Sequence, residues 1–399
     1  MPWVGRLEVA LGRAFIVTGL IGSALAGTAV AQQIPPRVDS AKSAPACSAA
    51  RNPVVAEGER QLAIVPRLGP AHVTPASKQS AYLMVYFKDD THSLYFATSR
   101  DGHAFTDVNA GRPILSGRSI ADQKGVRDPH IMRGPDGAFY MAMTDLHVFG
   151  QRDCVRTTQW ERPEQDYGWG NNRNMLLMKS VDLLHWTLAK VDVSRLFPAY
   201  SQAGNAWAPE TIYNPRTRRM MVYFTTRIRN GPNFMVSSEA NAAFTTLTTT
   251  PRKILDYPRP QVNTIDADIT LIGGKYRMFY VAHEKPGSIR QAMSNQIDRG
   301  YVYDARKIDP ETVAAEAPNL WRRHGTNTWV LMYDVFGVTP NNMGFAETTD
   351  FVSFRNIGRF NDPGSPMKAT NFVQPKHGAV MAVTPEEASR LERYFGVPR

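Results

Sequence analysis

The chain has 399 residues, of which 43% are hydrophobic and 21% are charged, as in ordinary globular proteins. Its net charge of +10 comes from scattered basic residues without a Lys/Arg tract, so binding of nucleic acid is not expected. A solvated basic surface is the simplest interpretation of this charge, and contact with an acidic polymer such as pectin is a weaker alternative.

Residues 1–31 predict a Sec-type secretory signal peptide. Arg6 and Arg13 give it a basic start, the apolar run at 14–27 is too short to span a bilayer, and small residues at 29–31 form a cleavage site. We therefore expect a periplasmic or secreted protein without a membrane attachment after cleavage. A retained anchor is the weaker alternative.

Residues 32–60 follow the signal and predict a flexible leader, because their first part is rich in Pro, Ala and Ser. The main domain is then expected at 61–399. Cys47 and Cys154 are the two cysteines of the chain. Export permits a disulfide, but the sequence leaves open whether these two pair.

A repeated unit fills the rest of the chain. Each copy has an apolar strand with a central tyrosine, then a more polar strand and a turn, and the spacings between the tyrosines are 54, 83, 57 and 53 residues. Almost no helical periodicity lies between the copies, except at 384–396, where Thr384 and Glu387 predict a capped helix. An all-β chain with this repeat predicts a five-bladed β-propeller, with a β-sandwich or β-helix as the alternative. The tyrosines are Tyr86, Tyr140, Tyr223, Tyr280 and Tyr333.

A strand that begins with a carboxylate precedes four of the five units. The motifs are RDPHI with Asp128, WAPETI with Glu210, IDADI with Asp266 and EAPNL with Glu316. The first strand of a propeller blade lines the central channel, so these four acids are expected to converge at one end of it. Carboxylates held together drive their pKa values apart, which is useful for acid–base chemistry.

The motifs VRDPHI, AWAPETIYN, TIDADITLIGGKYRMFY, EAPNLWRRHGTNTWVLMY and KHGAVMAVTPEE occur in this order from about Tyr82 to the C-terminus. In this respect the chain resembles glycoside hydrolase family 43. The resemblance implies a five-bladed propeller with an inverting mechanism. It also implies substrates such as α-L-arabinofuranosides, β-D-xylosides or galactans, and thus an oligosaccharide or polysaccharide partner.

The same resemblance implies the catalytic roles. Asp128 matches the general base, Glu316 the general acid, and Asp266 the acid that orients Glu316 and tunes its pKa; Asp268, two residues on, is the weaker match for this third role. An inverting pair is expected to lie roughly 6.5–9.5 Å apart, which leaves room for a water molecule. Arg127 is expected to favour the ionised form of Asp128, and an apolar wall, Trp321 or Phe336, to help keep Glu316 protonated.

Five further residues are expected to bind substrate. Four of them belong to the motifs or adjoin them, and the fifth lies in a long insertion at 147–173 that we expect either to wall the pocket or to pack on itself. They are Arg127, Trp207, Glu210, His377 and Trp169. No cofactor is required. The resemblance allows a structural ion such as calcium near His377, although a lone histidine is a weak metal signal and no metal ligand is assigned.

Two alternatives remain from the sequence. One is a retaining enzyme of the invertase and levansucrase type, because FNDPGS at 360–365 resembles the nucleophile motif of those enzymes, although it lies at the wrong end of the chain. The other is a sugar-binding propeller without catalysis. The sugar and linkage, exo or endo action, and the oligomeric state cannot be read from the sequence.

Overall fold

The computed structural model describes residues 60–284 and 288–396. The expected signal peptide, nearly all of the expected leader, and Cys47 lie outside the described residues. No helix within the described ranges is long and apolar enough to cross a membrane.

Strands dominate the described part of the chain, as expected. Short helices occur at Gly117–Ile120 (α1), Glu164–Tyr167 (α2) and Val193–Leu196 (α3), with 3₁₀ turns at Ala76–Lys78 and Pro198–Tyr200 and one longer helix at Pro385–Phe395 (α4). The strands in chain order are β1 Ala63–Ile64, β2 Ala81–Phe87, β3 Leu94–Ser99, β4 Ala104–Asp107, β5 Val126–Arg133, β6 Phe139–Asp145, β7 Asn174–Ser180, β8 His185–Asp192, β9 Trp207–Asn214, β10 Arg219–Thr226, β11 Phe234–Glu239, β12 Arg252–Lys253, β13 Thr264–Ile272, β14 Lys275–Ala282, β15 Ser288–Ser294, β16 Val302–Asp304, β17 Ala315–Arg322, β18 Trp329–Val335, β19 Asn342–Thr348, β20 Arg355–Arg359, β21 Lys368–Ala369 and β22 Lys376–Val383.

These strands form five sheets, which are the blades of a five-bladed β-propeller. Blade 1 has the order β22-β2-β3-β4-β21, blade 2 the order β5-β6-β7-β8-β1, blade 3 the order β9-β10-β11-β12, blade 4 the order β13-β14-β15-β16 and blade 5 the order β17-β18-β19-β20. The innermost strands β22, β5, β9, β13 and β17 pack side by side in a closed ring. The predicted fold class is confirmed.

The C-terminal strand closes the ring. Strand β22 pairs antiparallel with β2, so the innermost strand of blade 1 comes from the far end of the chain. This explains why only four units are preceded by an acidic strand, because the inner strand of the first unit carries Lys376 and His377 instead.

The second strand of each blade is buried on both faces, because each sheet is covered by a blade on either side. Strand β2, with the sequence AYLMVYF, is buried along its whole length. Such continuous apolar runs are typical of strands without a solvent face. The five repeat tyrosines all lie on these second strands and are at most 5% exposed.

A β-bulge interrupts the innermost strand of every blade. Register breaks at this point in all five pairs of first and second strands. A bulge turns a side chain away from the regular pleat and is common next to active sites. One residue in each bulge has a positive φ, and these are Asp128 (53°), Ala208 (42°), Asp266 (53°), Ala317 (57°) and His377 (20°).

The predicted C-terminal helix is present as α4. Thr384 accepts a hydrogen bond from Glu387 N, and the Glu387 side chain accepts one from Thr384 N, which completes the expected capping box. Arg133 of blade 2 binds Glu387 through both guanidinium nitrogens, at 3.1 and 2.6 Å. The helix is thereby fixed to blade 2, although it follows the inner strand of blade 1.

Candidate active site

Asp128 lies in the bulge of β5 with its side chain 12% exposed. His377 Nδ1, from the bulge of β22, is 3.2 Å from Asp128 Oδ1, and Thr144 Oγ1 donates a hydrogen bond of 2.7 Å to Oδ2. Burial opposes ionisation, but His377, Arg127 and Thr144 outweigh it and hold the pKa of Asp128 at about 2. Asp128 is therefore a carboxylate at neutral pH.

Thr144 links two blades at this point. While its hydroxyl donates to Asp128, its oxygen accepts a hydrogen bond of 2.8 Å from the backbone N–H of Ala208, the bulge residue of β9. The bulge frees this N–H from the regular ladder, so the threonine satisfies it and orients the carboxylate at the same time.

Glu316 lies at the start of β17, one residue before the bulge at Ala317, and is partly buried. Asp334 is its cross-strand partner on β18. Burial raises the pKa of Glu316 to about 7, with the negative charges of Asp334 and Asp266 adding to the effect and Lys376 opposing it. Close to neutral pH this carboxyl group therefore holds a proton that it can donate.

Asp266 occupies the bulge of β13 and is 7% exposed. Its backbone N–H donates to Thr225 Oγ1 at 3.1 Å. Burial raises the pKa of Asp266 to about 6; the nearby Asp128 charge also raises it, and His377 lowers it. The structure thus brings the three predicted catalytic acids from blades 2, 4 and 5 to one end of the channel.

Sequence reasoning missed an ionic network beside these acids. Arg127 Nη1 is 2.7 Å from Asp89 Oδ1, and Lys376 Nζ lies 3.8 Å from Asp89 Oδ2 and 3.0 Å from Asp334 Oδ2. Arg127 therefore pairs with Asp89 as well as facing Asp128. A signal existed for two of its members, because Lys376 directly precedes His377 and Asp334 follows the repeat tyrosine Tyr333.

Glu210 is the fourth predicted acid, and its charge interacts with those of Asp266 and Asp268, but it is offset from the other three acids along its strand. The bulge residue of its strand is Ala208, so Glu210 lies two residues further along the strand, as His130 and Asp268 do on theirs. We call His130, Glu210 and Asp268 the lower cluster; their ligand atoms all lie within 4.8 Å of one another, and all three side chains are buried.

The lower cluster has its own electrostatics. Burial raises the pKa of Glu210 well above its usual value, with the Asp268 charge adding to this and the Tyr223 hydroxyl opposing it. Burial raises the pKa of Asp268 to about 7, although the hydrogen bond from the N–H of Leu320 lowers it in part. Burial lowers the pKa of His130 to about 3, so its imidazole is neutral.

The insertion at 147–173 reaches the channel through Trp207, which precedes the bulge of β9. Trp207 Nε1 donates to Gly170 O at 2.8 Å, and the rings of Trp169 and Trp207 meet edge to face at 5.8 Å. Trp169 is 40% exposed, and its carbonyl accepts a hydrogen bond from Arg227, whose guanidinium lies over the Trp207 ring. The insertion also packs on itself around Trp160, which agrees with the second expected arrangement.

The prediction that Trp321 forms an apolar wall beside Glu316 is wrong. Trp321 is at the far end of β17 and packs against Tyr82, so it does not cover the acid. Phe336 lies one residue after β18 and beneath Lys376 Nζ, at 5.8 Å from its ring centre. The error arises because Trp321 is five residues from Glu316 along an extended strand, a distance of about 17 Å.

These features define a class of protein, an all-β propeller with a pair of carboxyl groups of the kind that glycoside hydrolases use. The chain belongs to the glycosyl hydrolase 43-related family, whose model, described as a probable glycosyl hydrolase domain, matches residues 77–389. The expected resemblance is confirmed.

Individual relatives are distant. An α-L-arabinofuranosidase of Bifidobacterium longum is 24% identical over 231 residues, which make up 52% of this chain and 20% of that protein. Similar solved structures include an α-L-arabinofuranosidase of Clostridium thermocellum (13% identity, TM-score 0.47, 75% of this chain and 98% of that one). Another is an endo-1,4-β-xylanase of Bacteroides thetaiotaomicron (10% identity, TM-score 0.48, 73% of this chain and 94% of that one).

Proposed function

We propose that the protein is a secreted, inverting glycoside hydrolase that cleaves arabinose- or xylose-type bonds in plant cell-wall oligosaccharides or polysaccharides. Family membership supports the glycosidase class. The arabinofuranosidase among the relatives supports the arabinose choice. The proposal that the protein is secreted is supported only by the sequence of residues 1–31.

One observation carries the proposal: two carboxyl groups at the same end of the channel have opposite electrostatic surroundings. Asp128 contacts the imidazole of His377, which favours its ionised form. Glu316 lies across the ladder from the buried Asp334, which favours its protonated form. A glycosidase of the inverting type needs such a pair, one base and one acid.

The residues then act as follows. Asp128 takes a proton from a water molecule while the oxygen of that water attacks the anomeric carbon. Glu316 gives its proton to the leaving glycosidic oxygen, so the bond breaks as the new C–O bond forms, on the opposite face of the sugar. Asp266 supports the protonated form of Glu316, and exchange with solvent restores both protonation states.

Other predicted residues take supporting roles in this proposal. Arg127 and Trp207 each precede a bulge residue, and we assign them to contacts with the bound sugar. Trp169, exposed beside Trp207, is assigned to a sugar unit further out. His377 orients Asp128. Glu210 is 3% exposed and lies below this level, so any effect of Glu210 on substrate is indirect.

Release of nitrophenol from aryl α-L-arabinofuranoside, β-D-xyloside and β-D-galactoside, followed with anomer analysis by NMR, tests the proposal. Asp128→Asn and Glu316→Gln are expected to lower turnover by about 10²–10⁴-fold or more. Asp350→Asn, an exposed turn residue on blade 5, is the matched control. A product that retains its anomeric configuration would refute the inverting mechanism.

The two alternatives make different predictions. The retaining alternative needs Asp362 as a nucleophile, but this residue lies in the turn after β20, the outermost strand of blade 5, where its carboxylate accepts a hydrogen bond from Arg359 N. The sugar-binding alternative predicts sugar affinity with no turnover of aryl glycosides or of longer arabino- and xylo-oligosaccharides.

A further inference from the structure

The lower cluster presents a problem of charge. Glu210 and Asp268 are each 3% exposed, and a carboxylate oxygen of one lies within 4.8 Å of a carboxylate oxygen of the other. Within residues 60–284 and 288–396, neither carboxylate forms an ion pair with a lysine or an arginine; the partner of Glu210 is His130, at 3.6 Å. Holding both carboxylates in their ionised form at this place without a cation is strongly unfavourable.

The level above is balanced in a different way. There, Asp128 contacts His377, and Lys376 and Arg127 accompany the remaining anions of the ionic network. In the described part of the chain, the propeller therefore supplies lysine and arginine to the buried anions at one level and only the imidazole of His130 to the pair beneath them.

Each carboxylate of the lower cluster accepts a hydrogen bond at only one of its two oxygen atoms. Tyr223 donates its hydroxyl to Glu210 Oε2 at 2.8 Å, and the N–H of Leu320 donates to Asp268 Oδ2. Among the described residues, no donor reaches Glu210 Oε1 or Asp268 Oδ1. Neither oxygen is among the sealed atoms without a partner in the described residues, so both are open to a ligand from the channel.

We propose that the lower cluster binds a divalent cation, with His130, Glu210 and Asp268 as its protein ligands. Three atoms no more than 4.8 Å apart have a centre about 2.8 Å or less from each of them, close to the ~2.0–2.6 Å of metal–nitrogen and metal–oxygen bonds. The two negative charges of the carboxylates then balance the ion. Water in the channel completes the coordination.

The ligand types restrict the ion. An imidazole suits transition metals such as Zn²⁺, and carboxylates suit Mn²⁺ and Ca²⁺ as well. His130 Nδ1 lies against Thr211, whose backbone N–H points to it at 3.3 Å and whose Oγ1 is 3.5 Å away. When Nε2 binds the ion, the ring proton is on Nδ1 and Thr211 Oγ1 accepts it. This site differs from an ion held by His377, whose Nδ1 is engaged with Asp128.

The structural consequence is a tie between three blades. His130 lies on β5, Glu210 on β9 and Asp268 on β13, so the ion joins blades 2, 3 and 4 through their innermost strands. An ion that binds only the folded chain stabilises it. Loss of the ion is therefore expected to lower the melting temperature, whatever the protein hydrolyses.

The experiment uses the purified full chain after treatment with EDTA and buffer exchange. Zn²⁺, Mn²⁺ and Ca²⁺ are added separately, bound metal is counted by mass spectrometry after gel filtration, and melting is followed by circular dichroism. We expect one ion per chain for at least one of the three metals, with a rise in melting temperature of about 5 °C at saturation.

The double variant Glu210→Gln/Asp268→Asn keeps the shape of the cluster and removes its charge. It is expected to fold, to bind no ion, and to melt at or above the temperature of the stripped wild type. The control Asp256→Asn changes a fully exposed carboxylate and is expected to behave like the wild type. No metal binding by the wild type, or one ion retained by the double variant, would overturn the proposal.

Discussion

Glu316 and Asp334 face each other across the ladder between β17 and β18, and Lys376 Nζ is 3.0 Å from Asp334 Oδ2. The candidate acid therefore lies beside a buried anion that is itself held by a buried cation. This arrangement lets the propeller adjust the proton affinity of Glu316 without a charged group that contacts the substrate.

The first prediction concerns the alkaline side of the pH profile. Asp334 raises the pKa of Glu316, so Asp334→Asn removes a negative charge and is expected to lower that pKa. Glu316 then loses its proton at lower pH, and the upper limb of kcat/KM against pH moves down by about one unit, equivalent to ~1.4 kcal/mol. Asp350→Asn should leave the limb in place. An unchanged limb for Asp334→Asn would contradict this assignment.

The second prediction is about stability. Lys376→Met leaves the buried Asp334 without its cation, whereas Asp89 keeps its ion pair with Arg127, so urea denaturation should show a loss of about 3–5 kcal/mol. Adding Asp334→Asn to this variant removes the unpaired charge and should restore part of the loss. Strict additivity of the two substitutions would show that the two residues do not interact.

The third prediction addresses the bridge at Thr144. Thr144→Val removes the donor to Asp128 and the acceptor of Ala208 N, which should cost about 1–3 kcal/mol of stability. We also expect kcat to fall roughly tenfold or more because the base loses its orientation. Thr144→Ser keeps the hydroxyl and should stay close to the wild type. Equal losses in the two variants would exclude the hydrogen bonds as the cause.

The fourth prediction compares two glycines. Gly170 and Gly273 both have positive φ, 65° and 59°, so alanine at either position costs about 1 kcal/mol or more. An added Cβ at Gly170 would lie 2.8 Å from Trp207 Cζ2, whereas the same atom at Gly273 meets nothing within 4 Å. Only Gly170→Ala should raise KM, by several-fold, because it displaces Trp207. A similar KM in both variants would show that Trp207 does not contact substrate.

Much of the fold could be predicted because every blade meets the same physical requirement and therefore shows the same sequence pattern. Each blade needs a strand that is apolar on both faces, and tyrosines such as Tyr223 and Tyr333 mark that strand in the sequence. The capped helix could be read from Thr384 and Glu387 for the same reason, since a capping box is local.

The level of each channel residue could not be predicted. It depends on which residue adopts a positive φ in the bulge, and this is an aspartate in β5 but an alanine in β9. Counting from the motifs therefore could not show that Glu210 is offset from the bulge residue of its strand. Likewise, the position of Asp334 after Tyr333 is visible in the sequence, but its ion pair is not, because only the fold brings Lys376 to it from 42 residues further along the chain.

The closure of the ring has a kinetic consequence. Tyr82 of β2 pairs with Ala382 of β22, 300 residues further along the chain (382 − 82), and closing so large a loop is slow. Until β22 arrives, the inner edge of β2 is an unpaired and almost wholly apolar strand edge, which is a template for aggregation. His377 arrives on that last strand, so Asp128 acquires its partner in the same step that completes the ring.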